Sequence, residues 1–103
     1  MSSIKIRTKR LEGKTQIRIL IAHPMEHGRN KDKQTGQLIP AHFIKELTIK
    51  HNDVVIISSD MAGSVAKDPY FAFMLNGGLE GDTITVDWLD SQGKSDIADA
   101  KIT

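Results

Sequence analysis

The sequence predicts an all-β protein, an immunoglobulin-like antiparallel β-sandwich of about seven strands. Its apolar residues recur mainly at every second position, the period of a strand with one buried face. Glycine, asparagine and aspartate interrupt this pattern at short intervals, as expected of turns between antiparallel strands. At 103 residues the chain is long enough for one hydrophobic core, and we expect a single domain over residues 1–103.

The alternation defines the strands in chain order. Ile17 and Ile19 share one face of the second segment, and Ile84, Val86 and Trp88 share one face of the sixth. Trp88 is therefore predicted to lie in the core. The predicted strands cover residues 4–11, 14–22, 41–51, 54–60, 70–76, 82–90 and 95–103.

Turn residues separate these segments. Glu12-Gly13 predicts the first bend, and Asn52-Asp53 predicts a two-residue hairpin turn because both residues tolerate a positive φ. The glycine-containing segments 76–78 and 91–93 predict turns near the C-terminus. Residues 61–69 hint at a helix, but the segment is too short and too rich in glycine to count as one.

Composition excludes several functional classes. The formal net charge is +1, and the local basic groups, Lys9-Arg10 and Arg29 to Lys33, do not form a stripe suited to nucleic acid or to an anionic membrane. The chain has no cysteine, which excludes disulfides, thiolate catalysis and cysteine-bound metals. Residues 1–7 lack the apolar core of a signal peptide.

The histidines raise the possibility of a metal site. They are His23, His27, His42 and His51. His23 and His27 have the spacing of two ligands on one helix face, but Pro24 and Gly28 disfavour a helix there. We therefore expect the histidines to be loop and strand-surface residues. A small histidine-rich metal-binding or redox β-sandwich protein stays open as the alternative function.

A hydrolase is also disfavoured. Ser58, Ser59, Asp60 and His51 lie close together in the sequence, but a catalytic triad is defined by geometry, not by proximity along the chain. The chain has no Gly-x-Ser-x-Gly segment of the kind that exposes a nucleophilic serine. No catalytic residue is predicted.

A long polar segment carries a resemblance to a known family. Residues 22–32 read Ala-His-Pro-Met-Glu-His-Gly-Arg-Asn-Lys-Asp, and Gly-Gln-Leu-Ile-Pro follows at 36–40. Two more blocks follow in order, Pro-Tyr-Phe-Ala-Phe at 69–73 and a segment at 85–93 that contains Thr-Val-Asp-Trp and Asp-Ser-Gln-Gly. Together these blocks resemble the SoxZ family over roughly residues 13–103.

This resemblance implies a function without catalysis. SoxZ proteins bind SoxY to form the sulfur carrier of thiosulfate oxidation, in which a Gly-Gly-Cys-Gly-Gly tail of SoxY carries the sulfur. The resemblance thus implies a heterodimer with SoxY, transient contacts with other Sox enzymes, and no cofactor or bound metal. It also implies the periplasm, reached by export with SoxY, and a possible homodimer when the subunit is isolated.

Two segments are predicted to contact the partner. In the loop, apolar anchors and charged residues together suggest a binding surface. In the strand 70–76, large side chains on both faces suit either a central buried strand or an edge strand that a partner covers. The predicted contact residues are His23, Pro24, Met25, Glu26, Gly28, Arg29, Asp32, Ile39, Pro40, Tyr70, Phe71 and Phe73.

Overall fold

The computed structural model describes residues 3–26, 28–61 and 67–103, and these residues form seven strands and no helix. The strands are β1 (Ile4–Leu11), β2 (Lys14–Ile21), β3 (Ile44–His51), β4 (Val54–Asp60), β5 (Tyr70–Asn76), β6 (Thr83–Asp90) and β7 (Ser95–Lys101). The all-β prediction is confirmed. Most of the segment that hinted at a helix, 62–66, lies outside the described residues. Nothing in the described parts could cross a membrane as a helix.

The strands form two antiparallel sheets. The first contains three strands in the order β1-β2-β5, and the second contains four in the order β4-β3-β6-β7. The chain therefore changes sheet after β2, after β4 and after β5. β4 pairs with β3 instead of continuing the three-stranded sheet, so the outer edges are β1 and β5 in one sheet and β4 and β7 in the other.

The core lies between the sheets and follows the predicted alternation. Ile17 and Ile19 of β2 and Ile84 and Val86 of β6 are fully buried. Trp88 is 7% exposed, which confirms its prediction as a core residue. Because side chains alternate between the two faces of a strand, the residues between these positions point away from the core.

One side of the sandwich is closed. β1 and β7 approach each other there, and Ser3 links them through its backbone N–H and its hydroxyl, which both donate to Asp96 Oδ2 at 2.9 and 2.7 Å. The Trp88 indole N–H donates to Ser3 Oγ at 3.1 Å. These bonds tie the edges of the two sheets together next to the core.

The opposite side of the sandwich is open. The edge strands β4 and β5 do not pair with each other. Between them lies an apolar groove of about 400 Å³, called the open groove below. Its lining includes the apolar residues Leu47, Ile49, Ile57, Phe71 and Phe73.

Two turns show how local sequence sets the chain direction. Asn52 and Asp53 have φ values of 49° and 67°, as predicted for the β3–β4 hairpin. At Gly78, with φ +83°, an added Cβ would lie 2.6 Å from Thr15 Oγ1. Because that Thr15 hydroxyl is buried and donates to the Gly77 carbonyl at 2.9 Å, this position requires glycine.

Candidate partner-binding site

The loop between β2 and β3 has two parts with different structures. The loop base comprises residues 23–26 and 42–43, and the loop tip comprises residues 29–40. In the base, Glu26 and His42 exchange backbone hydrogen bonds of 2.7 and 2.8 Å. This pairing explains why β3 begins at Ile44 and not at residue 41 as predicted, because His42 pairs within the loop instead of with the sheet.

The loop tip folds back on itself. The Asp32 N–H donates to the Gln37 carbonyl and the Ile39 N–H donates to the Asn30 carbonyl, both at 2.8 Å. The Asp32 carboxylate accepts the N–H of Gln34 at 2.7 Å, as aspartate commonly does in turns. The tip is therefore a small hairpin that carries mostly exposed side chains.

The loop base is built on a buried carboxylate from β6. Asp90 is 1% exposed, and its Oδ2 lies 3.1 Å from His23 Nε2 and 2.7 Å from His42 Nε2. Its Oδ1 accepts the backbone N–H groups of Gln92 and Lys94, both at 2.9 Å. Four donors therefore satisfy this carboxylate, as burial of a charged group requires.

The environment of Asp90 lowers its pKa. Burial acts to raise the pKa, but the hydrogen bonds from His23, the Lys94 N–H, His42 and the Gln92 N–H outweigh burial and lower the pKa to about 2. The carboxylate is therefore ionised at neutral pH. An ionised carboxylate only accepts hydrogen bonds, so both histidines present an Nε2–H to it.

A second contact fixes the state of His23. Its Nδ1 accepts the backbone N–H of Met25 at 3.1 Å, so Nδ1 carries a lone pair and Nε2 carries the proton. The His23 ring packs edge-on against Trp88 and His42, with centroid distances of 5.1 and 4.6 Å. The side chain is thus held on both ring nitrogens and by two aromatic neighbours.

Met25 completes the base from the other side. Its side chain is 4% exposed, and its sulfur accepts the Ile44 N–H at 3.4 Å. Its φ of 51° is unusual for a residue with a side chain. The packing of Met25 offsets that backbone cost, since the side chain enters the same core cluster as Trp88.

These contacts correct one expectation from the sequence. His23 was predicted to be a loop-surface residue, but it is only 3% exposed and belongs to the core. The residue that sequence reasoning missed is Asp90. The signal was present, because the alternation that buries Ile84, Val86 and Trp88 also places Asp90 on the inner face of β6.

The three side chains also resemble a metal-ligand set. His23, His42 and Asp90 offer ligand atoms within 4.8 Å of one another, and two histidines with one carboxylate can bind iron or zinc. With Asp90 ionised, both Nε2 atoms carry protons and donate to it. Metal binding would require His23 to move its proton to Nδ1 and so lose the Met25 N–H bond. His27, the other predicted candidate, lies outside the described residues.

A second histidine–aspartate pair lies at the other end of the sandwich. His51 Nε2 is 2.8 Å from Asp82 Oδ2. This hydrogen bond, with those from the Leu79 N–H and from Asn52, lowers the pKa of Asp82 to about 2. The side chains of this pair are about one fifth exposed. His51 bonds to Asp82 and not to Ser58 or Ser59, so the arrangement is not a catalytic triad.

The structure brings the two predicted contact segments together at one point. The His23 N–H donates to Asp68 Oδ1 at 3.0 Å, and the Asp68 N–H donates to the His23 carbonyl at 2.9 Å. Asp68 lies two residues before β5, so the loop base is attached to the start of that strand. The Ile21 N–H adds a bond to the Pro69 carbonyl at 3.0 Å.

Not every predicted contact residue is accessible. His23 and Met25 are buried, Glu26, Gly28 and Ile39 are half-buried, and Pro24, Arg29, Asp32 and Pro40 are exposed. On β5, Phe71 and Phe73 are half-buried and line the open groove, whereas Tyr70 is 59% exposed and lies at the edge of that groove. Contact with a partner stays a prediction for all of these residues.

Two observations define the class of protein. The fold is an antiparallel β-sandwich with three and four strands, and the candidate site is an apolar groove at an open side next to a long, internally bonded loop. Such a site suits protein binding, because edge strands and apolar grooves are surfaces that partners cover.

The chain belongs to the SoxZ family: the family model described as "Sulphur oxidation protein SoxZ" matches residues 4–101. The family resemblance found in the sequence is thereby confirmed, and the chain is a component of the sulfur-oxidation system. A search of curated proteins gave no match.

Proposed function

We propose that the chain is the non-catalytic subunit that binds SoxY in the SoxYZ sulfur carrier, with the open groove at the centre of the interface. The single observation that carries this proposal is the groove itself. It places Phe71 and Phe73, two of the predicted contact residues, between the free edges of β4 and β5.

Three features of the groove support its role as an interface. In the described part of the chain, no strand pairs with the outer edge of β4 or β5, so each edge offers backbone donors and acceptors to a partner strand. Half-buried phenylalanines supply the large apolar contacts that dominate binding energy at interfaces. A partner that covered the groove would complete the burial of the core on this side.

The loop supports the same interface. Its base is fixed to the start of β5 through Asp68, so the orientation of the loop relative to the groove is set by the fold. The exposed residues of the tip, among them Arg29 and Asp32, could then add polar contacts at the rim and set partner specificity.

A non-catalytic role is consistent with the chemistry of the chain. It has no cysteine, so it cannot compete for the sulfur bound to the cysteine of SoxY by thiol–disulfide exchange. The buried histidine–aspartate cluster directs its hydrogen bonds inward and stabilises the loop base. We further propose that the subunit acts in the periplasm after export with SoxY, which rests on the family alone.

Co-expression with a tagged SoxY from the same genome tests the proposal. We expect a one-to-one complex by size-exclusion chromatography with light scattering. Ile57→Glu places a charge in the groove and should abolish or strongly weaken the complex. Val55→Glu is the matched control, because Val55 lies on the same strand, opposite the outward-facing Lys50, and is 52% exposed.

The outcomes distinguish a wrong partner from a wrong interface. If wild-type protein and SoxY elute separately, the proposed partner is wrong. If Ile57→Glu stays folded by circular dichroism and binds as tightly as Val55→Glu, SoxY binds elsewhere and the groove is not the interface. Phe73→Ala provides a milder groove variant for the case in which Ile57→Glu fails to fold.

A metal-binding protein is the second candidate, and the His23, His42 and Asp90 cluster is the observation that favours it. The protonation of both Nε2 atoms opposes it. We expect substoichiometric metal in purified protein. Tightly held stoichiometric iron or zinc that is lost on His42→Ala would instead support this candidate.

A further inference from the structure

The outer face of the three-stranded sheet has charges of one sign. Alternate positions of β1 and β2 point away from the core and carry five cations. β1, β2 and β5 contain no aspartate or glutamate at all. The five cations, called the basic face below, are Lys5, Arg7, Lys9, Lys14 and Arg18.

The strand register concentrates this charge. Arg7 lies directly opposite Arg18, and Lys5 lies opposite Leu20, which in turn pairs with Tyr70. Like charges directly opposite each other repel and destabilise a strand pair. Lys5, Arg7 and Arg18 line a groove of about 290 Å³ together with Leu20 and Tyr70. Within the described residues, no carboxylate forms an ion pair with the basic face.

The other sheet differs. The four-stranded sheet carries both signs at exposed or half-buried positions, with Glu46, Asp60, Asp87 and Asp99 beside Lys45, Lys50 and Lys101. The net charge of +1 therefore conceals an asymmetry between the two faces. The sequence does not reveal this face, because the cations alternate with inward residues and come from two strands that meet only in the fold.

We propose that the basic face binds an acidic protein surface that also carries apolar side chains. Leu20, Tyr70 and Met74 lie on the same face and are 39%, 59% and 45% exposed. A phosphate backbone would leave these apolar groups in water, whereas a protein partner buries them. Arginine, tyrosine and methionine are also the residues that protein interfaces favour.

This surface is separate from the proposed SoxY interface except at Tyr70. The open groove lies between β4 and β5, and the basic face lies on the outer side of β1 and β2. Tyr70 is the residue common to the linings of both grooves. The other lining residues of the two grooves differ, so a partner that contacts Lys5, Arg7 and Arg18 uses residues that the open groove does not contain.

A synthetic peptide that alternates glutamate and leucine is the probe, and a glutamine–leucine peptide is its control. With the ¹⁵N-labelled full chain, we expect the acidic peptide to shift amide signals of β1, β2 and β5. Its affinity should fall about tenfold between low and physiological salt, since salt screens exposed charges. The glutamine–leucine peptide should bind much more weakly.

The test variant is Arg7→Glu. It places a carboxylate opposite Arg18, an arrangement that favours strand pairing, so the variant should remain folded. We expect it to lose peptide binding at least tenfold. Lys50→Glu makes the same charge change on the outer face of the other sheet and should leave binding unchanged.

Four results would overturn the proposal. These are no signal shifts on β1 and β2, equal loss of binding in both variants, tighter binding of a random-sequence oligonucleotide than of the peptide, and equal binding of inorganic sulfate at the same residues. Salt-sensitive self-association that disappears in Arg7→Glu would assign the face to a second copy of the chain instead.

Discussion

The base and the tip of the β2–β3 loop belong to one segment of sequence but behave as two structures. The base contains His23 and Met25, which are as buried as the strands beside them. In the tip, polar and charged side chains such as Arg29 and Lys33 are exposed, and the backbone hydrogen bonds of Asp32 and Ile39 are formed within the tip.

The loop base therefore contributes to stability, whereas the loop tip offers side chains for recognition. The base is held by partners far away in sequence, Asp90 and Asp68, so changes there affect the whole fold. The tip is held by its own backbone bonds, so changes there affect the surface alone. A loop that is fixed at its base and variable at its tip can present specific side chains at little cost in stability.

The largest effect is expected at the centre of the base. Asp90→Asn keeps the shape but turns one acceptor into a donor that faces N–H groups. The His23 ring cannot adapt, because its Nδ1 already accepts the Met25 N–H. We expect a loss of about 3 kcal/mol in the free energy of unfolding, measured in urea. Asp82→Asn removes the charge from the half-buried His51–Asp82 pair and should cost a small fraction of that.

The free energy of unfolding, measured as the pH is lowered, should show the contribution of Asp90 to stability. The pKa of Asp90 is lowered from 3.8 to about 2 by folding, so its stabilising effect is complete above about pH 4 and is lost as the pH falls toward 2. It amounts to about 2 kcal/mol. Asp82 titrates in the same window, so the difference between wild type and Asp90→Asn isolates the Asp90 part. Identical acid profiles would contradict the buried network.

Met25→Ala tests whether the base is core. Met25 lies outside the strands, where a residue of a surface loop could be replaced with little effect on stability. The burial of Met25 and its bond to the Ile44 N–H predict instead a loss of about 2 kcal/mol. Met74→Ala, at a 45% exposed position of β5, is the control in the same thermal or urea unfolding experiment. If the two variants were equally stable, Met25 would not contribute to the core.

The smallest effect on stability is expected at the tip. Arg29→Glu should change the free energy of unfolding by less than about 0.5 kcal/mol. If the tip contacts SoxY, the variant should weaken the complex roughly tenfold, mainly through an altered rim charge. Lys33→Glu makes the same change at a tip position outside the predicted contact set and should bind normally. Surface plasmon resonance with immobilised SoxY distinguishes the two variants, and equal affinities would exclude a specific role for Arg29.

Much of the fold was accessible from the sequence because its signals are local. Alternation placed Ile84, Val86 and Trp88 in the core, and the φ preferences of Asn52 and Asp53 set a hairpin. The predicted strand ends were less accurate where a tertiary contact replaced strand pairing. The predicted start of β3 at residue 41 is an example, because His42 pairs with Glu26 instead.

The tertiary structure decided the features that depend on distant partners. The sequence determined the sandwich, the family pattern and the aromatic strand, because alternation, turn residues and motifs are read along the chain. The assembly of His23, His42 and Asp90, the open side between β4 and β5, and the basic face all required strands to be placed beside each other. Buried hydrogen bonds and surface charge patterns arise between residues that are neighbours in space, so their geometry exists only once the sheets have formed.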